Sequence, residues 1–243
     1  MTEPSTSETA YSDTQYDDNY PPGMEHHWWS RARAEIIQSA LGRLESTRIL
    51  DVGCGRGLTV AFLRQRGFEC YGCELGRPSV DDAVVPYVST GTAATDLDQG
   101  FRDRIDTLLL LDVIEHIADP QAFLDDLLRA FPHAAHVVLT VPARQELWTS
   151  WDEHYGHFLR YDRSTLMALL SRTGLKVLSA RHIFLSLYPI LLLAARIGSR
   201  SKRATSPRRL WAHRIVASWF VAEAKVFAAS PLWGTSLLAI CKR

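Results

Sequence analysis

Ten residues, Arg48-Ile49-Leu50-Asp51-Val52-Gly53-Cys54-Gly55-Arg56-Gly57, constrain the fold more than any other stretch. A short apolar run ends in an acid, three alternate glycines follow, and a helical pattern runs from Leu58 to Arg66. That order predicts a strand, a tight turn and a helix start. Glycine is needed where the backbone takes positive φ or must lie against a ligand. The first N–H groups of the new helix then face whatever sits above the loop. A second strand, Glu69 to Cys73, ends at Glu74. A carboxylate at that strand tip suits a ribose diol, because it accepts from both hydroxyls. The dinucleotide fingerprint requires G-x-G-x-x-G, and here Leu58 stands where its third glycine belongs. An NAD-linked oxidoreductase is therefore disfavoured.

Asp51-x-Gly53-x-Gly55-x-Gly57 with Glu74 resembles the first two motifs of the class I S-adenosylmethionine-dependent methyltransferases. The resemblance runs from about Thr47 to Val141 and resumes in the final strand. It implies that Asp51, Gly53, Gly55 and Gly57 hold the amino-acid end of S-adenosylmethionine, that Glu74 binds its ribose, and that Asp96 meets its adenine. Cys54, Leu97, Asp112 and Val113 complete the expected cofactor-binding set. A turn or cap role for Asp96 is an equal alternative. Asp112-Val113-Ile114-Glu115-His116-Ile117 resembles the fourth motif of methyltransferases in quinone biosynthesis and related groups.

Apolar and helical segments alternate along the rest of the chain. Strands are expected near Val84–Val88, at Ile105–Leu111, at His136–Val141, at Leu175–His182 and at Thr235–Ile240. Helices are expected up to Leu41, from Asp119-Pro120 to Phe131, and from Asp162 or Ser164 to Thr173. This order implies an α/β class: a doubly wound, seven-stranded Rossmann-like methyltransferase sheet. Its last strand is antiparallel, with a helical insertion, 183–233, before it. Residues 24–243 form one domain. Residues 1–23, acidic and rich in Ser, Thr and Pro, are expected to be disordered.

Between Glu25 and Arg33, the adjacent Trp28 and Trp29 point in different directions on a helix. One can pack inward while the other faces a cleft, as anchor or cofactor lid. A long loop, Trp148 to Tyr161, leaves the carboxyl edge of the sheet, where open α/β sheets bind ligands. Its Asp-Glu-x-x-Gly-His-x-x-Arg-Tyr order loosely resembles methyltransferases of glycan and lipid-linked-sugar pathways.

Methyl transfer to oxygen needs alignment, exclusion of water and removal of one proton. His157, then His116 and His154, are the candidate catalytic bases, with Arg160 and Tyr161 placed to orient an acceptor. A metal site built from Asp112, Glu115 and a histidine is conceivable but lacks a clear ligand pattern, so none is expected. The expected acceptor is a small or lipid-linked hydroxylated molecule. The alternative is a cofactor-binding regulatory or partner subunit without its own catalysis.

Net charge over 243 residues is zero, so overall balance implies no partner. The distribution is informative: residues 1–30 carry six acids and no Lys or Arg, while Arg163 to Ala222 holds eleven Lys or Arg and no acid. The basic stretch, Arg196, Arg200, Lys202, Arg203, Arg208, Arg209 and Arg214, adjoins the apolar run Ile183–Ile197 and a helical pattern from Ile215 to Ala229. Contact with an anionic membrane and a plain helical cap are equal readings of this insertion. Aromatics interleave with its cations too sparsely for nucleic acid. No stretch has the ~18 apolar residues of a membrane span. The four cysteines read as reduced core residues, because Cys70 and Cys73 fall on opposite faces of one strand. A cytoplasmic protein, peripheral at the inner membrane surface if the insertion binds lipid, is the expectation.

Overall fold

The computed structural model describes residues 11–44, 46–196, 206–228 and 233–243. Seven strands form one sheet in the order β3-β2-β1-β4-β5-β7-β6. They are β1 (Arg48–Val52), β2 (Glu69–Glu74), β3 (Val88–Thr90), β4 (Thr107–Leu111), β5 (His136–Pro142), β6 (Lys176–Ile183) and β7 (Ser236–Lys242). Only β7 runs against its neighbours, pairing antiparallel with both β5 and β6. The doubly wound sheet and its antiparallel last strand are as the sequence implied.

The helices are α1 (Asp13–Asn19), α2 (Trp28–Leu41), α3 (Leu58–Arg64), α4 (Gln99–Arg102), α5 (Pro120–Ala130), α6 (Ser150–His154), α7 (Arg163–Arg172), α8 (Leu187–Arg196) and α9 (Leu210–Val226). Every residue of β4 is buried, as expected of a central strand covered on both faces. The strand period of two divides its leucines between two cores. Leu108 and Leu110 join the core under α5 and α7, whereas Leu109 and Leu111 join the core under α2, α3 and α9. All four cysteines are free and buried. Among the described residues no helix is long and apolar enough to cross a membrane.

Four local expectations differ from the structure. The segment 84–88 is a 3-10 turn over Val85–Tyr87, with β3 starting only at Val88. Pro86 cannot donate to a ladder, which pushes the strand beyond it. The loop after β5 contains the short helix α6, opened by a Thr149–Asp152 capping box. The second insertion helix begins at Leu210, ahead of the apolar run at Ile215. Residues 11–23 are ordered rather than disordered: a Ser12–Gln15 capping box opens α1 and Tyr16 is buried. Residues 1–10, and with them part of the expected acidic tail, lie outside the described residues, as do Arg200, Lys202 and Arg203.

The insertion is tied to the domain by α9, whose Ala217, Phe220 and Ala224 face inward. Trp28 of α2 stacks on Phe220 with ring centroids 5.1 Å apart. The buried Glu223 carboxylate accepts from Leu185 N at 2.6 Å and Ser186 N at 2.7 Å, satisfying free donors just ahead of α8. Glu223→Ala leaves both donors unpaired. The expected loss is about 2 kcal/mol, a fall of roughly 5 °C in Tm for a chain of this size. Differential scanning calorimetry checks it.

Candidate active site

The strand order reverses between β1 and β4, so their carboxyl ends open onto one crevice. β1 runs into the glycine loop there, where Gly53, Gly55 and Gly57 all have positive φ. A Cβ on Gly53 would come within 2.9 Å of Val113, and one on Gly55 would collide with the Tyr20 hydroxyl. Both positions therefore need glycine for conformation and for space. β2 delivers Glu74. Its Oε2 accepts from Gly55 N at 2.8 Å and its Oε1 from Gly76 N at 3.1 Å. The carboxylate is fixed at the floor of the crevice with lone pairs to spare.

These groups line a cavity of about 930 Å³, within the size range of cofactor sites. Gly53, Gly55, Gly57, Glu74, Asp112 and Val113 line it, and so do His116 and His157. Asp51 and Cys54 are buried and are not part of the cavity wall. Asp51 Oδ1 has no hydrogen-bond partner among the described residues. Burial pushes Asp51 up to about 7, with Arg33 opposing and Glu74 and Asp112 reinforcing the rise. Asp96 and Leu97 are not part of the cavity wall. Asp96 is exposed, and the residues just before it, Thr92 to Thr95, line the cavity instead.

Several wall residues escape a reading of motifs. Arg33 lies 4.3 Å over the Trp29 ring and pairs with Asp112. Trp29 and Arg33 stand four apart on α2, on its cleft side, while Ile36, Ile37 and Leu41 face the core. The tryptophan pair thus splits as the sequence allowed, Trp28 inward and Trp29 to the cavity. Asp112 adopts φ 59° and accepts from Thr140 Oγ1 at 3.1 Å. A non-glycine residue held there is a strained position of the kind found at functional sites. From above, Tyr11, Tyr16 and Tyr20 close over the loop. The Tyr11 hydroxyl lies 3.1 Å from His116 Nε2.

The loop 143–161 sets His157. Its Nδ1 is 2.8 Å from Asp152 Oδ1. Asp152 is itself gripped by Arg160 through Nε at 2.8 Å and Nη2 at 2.9 Å, and by Thr149 N at 2.8 Å. Burial alone would raise Asp152, but the hydrogen bonds from His157 and Arg160 outweigh it and hold the carboxyl well below its usual range. An ionised carboxylate only accepts, so His157 Nδ1 is the donor in this contact. Arg160 therefore holds the histidine rather than an acceptor. Tyr161 is buried and donates to the Ile114 carbonyl at 3.4 Å. His154 points away from the cavity to Asp18 of α1, 3.2 Å from Nε2. Of the three candidate bases, His116 and His157 come together, with ring centroids 4.6 Å apart, and His154 does not join them.

Beneath them lies Glu115, fully buried, with neither carboxylate oxygen hydrogen-bonded among the described residues. Burial and the nearby Asp112 push it well above the usual carboxylate range. Burial, then His157, lowers His116 to about 4, so it is neutral near neutrality. Ligand atoms of Glu115, His116 and His157 lie within 4.8 Å of one another. Glu115 and His116 are neighbours along the chain, and the fold brings His157 to them.

A family model described as a methyltransferase domain matches residues 24–180. The chain belongs to this family of S-adenosylmethionine-dependent methyltransferases. A ubiquinone biosynthesis O-methyltransferase of Alkalilimnicola ehrlichii is 24% identical in a 159-residue alignment that covers 58% of this chain and 64% of that protein. The match thus spans less than two-thirds of that relative. The Burkholderia thailandensis 1,6-didemethyltoxoflavin-N1-methyltransferase, solved with bound 1,6-didemethyltoxoflavin and S-adenosylhomocysteine, shares the fold at a TM-score of 0.56. It is 14% identical, with 95% of this chain and 84% of that one covered. Haemonchus contortus phosphoethanolamine N-methyltransferase 2, solved with S-adenosylmethionine, gives a TM-score of 0.55 at 16% identity, covering 96% of this chain and 57% of that one. The crevice fits the family's cofactor: a loop with three alternate glycines, a fixed carboxylate beyond it and a cavity of sufficient volume stand together.

Proposed function

We propose that this methyltransferase acts on a hydroxyl of a small or lipid-linked acceptor, with His157 as general base. The supporting observation is the Arg160–Asp152–His157 chain, which holds His157 by Nδ1 on the wall of the cavity that the glycine loop also lines. The name of the Alkalilimnicola relative supports oxygen as the methylated atom. Asp51 and the glycine loop would hold the amino-acid end of S-adenosylmethionine, and Glu74 its ribose. When bound, the cofactor supplies a methyl group on a sulfonium, already a good leaving group.

The chain's own part is positioning and proton removal. Asp152 fixes the tautomer of His157, and Nε2 takes the acceptor's hydroxyl proton as its oxygen becomes the nucleophile. Tyr11, Tyr20 and Trp29 wall the site against water. The test is transfer of tritiated methyl into a lysate extracted into aqueous, lipid and protein pools. Label in a phenol or alcohol of the lipid or aqueous pool is expected. Label confined to protein would contradict the proposal.

Glu115 supports a second reading, in which a divalent cation sits between Glu115, His116 and His157. A buried neutral carboxylic acid without partners would lose its proton to such an ion. The acceptor hydroxyl would then be acidified by coordination. Chelation with EDTA separates the two: turnover persists with a histidine base and is lost with a metal.

Asp51 supplies a pH test. Its folded value lies above its unfolded one, so its contribution to stability is present below the unfolded value and is lost as pH rises through about 7. Ionisation over the same range strengthens its hold on a cofactor ammonium. S-adenosylmethionine affinity should rise up to about tenfold between pH 6 and 7.5. In Asp51→Asn the rise should vanish.

A further inference from the structure

Among the described residues, all the exposed large hydrophobics except Val85, Phe158 and Leu178 lie between Ile190 and Trp233. They are gathered in one insertion rather than scattered as single surface residues usually are. α9 is apolar on two sides. At about 100° per residue, Trp211, Ile215, Trp219 and Val226 fall within about 80° of arc, exposed by 64%, 62%, 61% and 75%. The buried Ala217, Phe220 and Ala224 lie opposite. The small, exposed Ala222 sits within the outer stripe and Ser218 at its edge, so the stripe carries no charge. The exposed Arg214 and Lys225 border it on one side.

α8 adds a second exposed apolar surface. Of its residues only Tyr188 is buried, and Ile190, Leu191 and Leu193 are exposed. The two helices are joined at an aromatic corner. Trp219 Nε1 donates to Ser186 Oγ at 3.0 Å, Glu223 holds Leu185 and Ser186, and Tyr188 meets the exposed Trp233 at 5.9 Å.

We propose that the outer faces of α8 and α9 dock on an anionic lipid bilayer, with both helices lying in the headgroup layer. Three features select this occupant. The border is cationic, with Arg208, Arg209, Arg214 and Lys225 all exposed. The sequence offers no acid from Arg163 to Ala222 to answer them. A second copy across a two-fold axis would set this cationic border against itself, whereas anionic headgroups neutralise it. Exposed Trp211, Trp219 and Trp233 suit the interfacial layer, where indole rings collect. The helices are too short to span, which leaves them in the plane of the surface. The docking needs no part of the methyl-transfer reading.

Vesicle flotation of the full chain tests it, with phosphatidylcholine alone and phosphatidylcholine mixed with phosphatidylglycerol. Flotation with the anionic vesicles only, weakening with salt, is expected. The double variant Trp211→Ser/Ile215→Ser should lower partitioning by more than about tenfold. Arg214→Gln and Lys225→Gln should lower it about fivefold each. Unchanged S-adenosylmethionine affinity in calorimetry would show that each variant is folded. Three results would each overturn the proposal: no flotation, equal flotation with both vesicle types regardless of salt, or a dimer in sedimentation that the Trp211/Ile215 variant abolishes.

Discussion

Glu74→Ala is expected to weaken S-adenosylmethionine binding by about a hundredfold or more. A hydrogen bond to a charged group contributes about 1.5–3 kcal/mol, and the ribose diol offers two. The same carboxylate accepts from Gly55 N at 2.8 Å and Gly76 N at 3.1 Å. Its loss therefore frees the loop as well as removing the proposed ribose partner. Glu74→Gln separates the two effects, because its amide oxygen can still accept from one loop N–H. That variant should keep most of the melting temperature and still lose much of the affinity. Isothermal titration calorimetry, paired with a melting curve, reads both.

His157→Ala should lower kcat by about a hundredfold to ten-thousandfold, the range of a lost general base. Cofactor affinity should stay within about threefold, because His157 is held by Asp152 whereas the glycine loop is held by Glu74. Asp152→Asn gives a graded check. It leaves the imidazole in place but removes the charge that fixes the tautomer and breaks the pairing with Arg160. A loss of kcat smaller than that of His157→Ala, with unchanged affinity, is the expected result. If His157→Ala turns over like the wild type, the base lies elsewhere and His116 is the next group to replace.

The glycine loop and Glu74 were legible because their chemistry is local. A turn of positive φ needs glycine, and a strand tip needs only a strand to place it. The β4 leucines were legible for the same reason, since an unbroken apolar run marks a strand covered on both faces. Glu115 was not, because nothing in Asp-x-x-Glu-His tells that one acid of the pair is sealed from water while Asp112 meets Arg33. Asp152 and Arg160 gain their roles only when the chain from Trp148 to Tyr161 folds back on β5. There an apparent acceptor clamp proves to be a support for His157. Residues 11–23 misled through composition. Their acids and hydroxyls suggest disorder, yet the Ser12–Gln15 cap and Tyr16 and Tyr20, four apart, carry enough local and apolar signal to order a short helix over the cavity. The exposed side of α9 was read only as one apolar pattern, since sequence alone did not separate its inward from its outward stripe.

The central claim is that the crevice between the β1 loop and Glu74 binds S-adenosylmethionine. Calorimetric titration of the wild-type chain with S-adenosylmethionine and, separately, with NAD tests it most directly. Saturable binding of the first, none of the second, and loss of the first in Glu74→Ala is the predicted result. Saturable binding of NAD without S-adenosylmethionine, or S-adenosylmethionine binding untouched by Glu74→Ala, would contradict it.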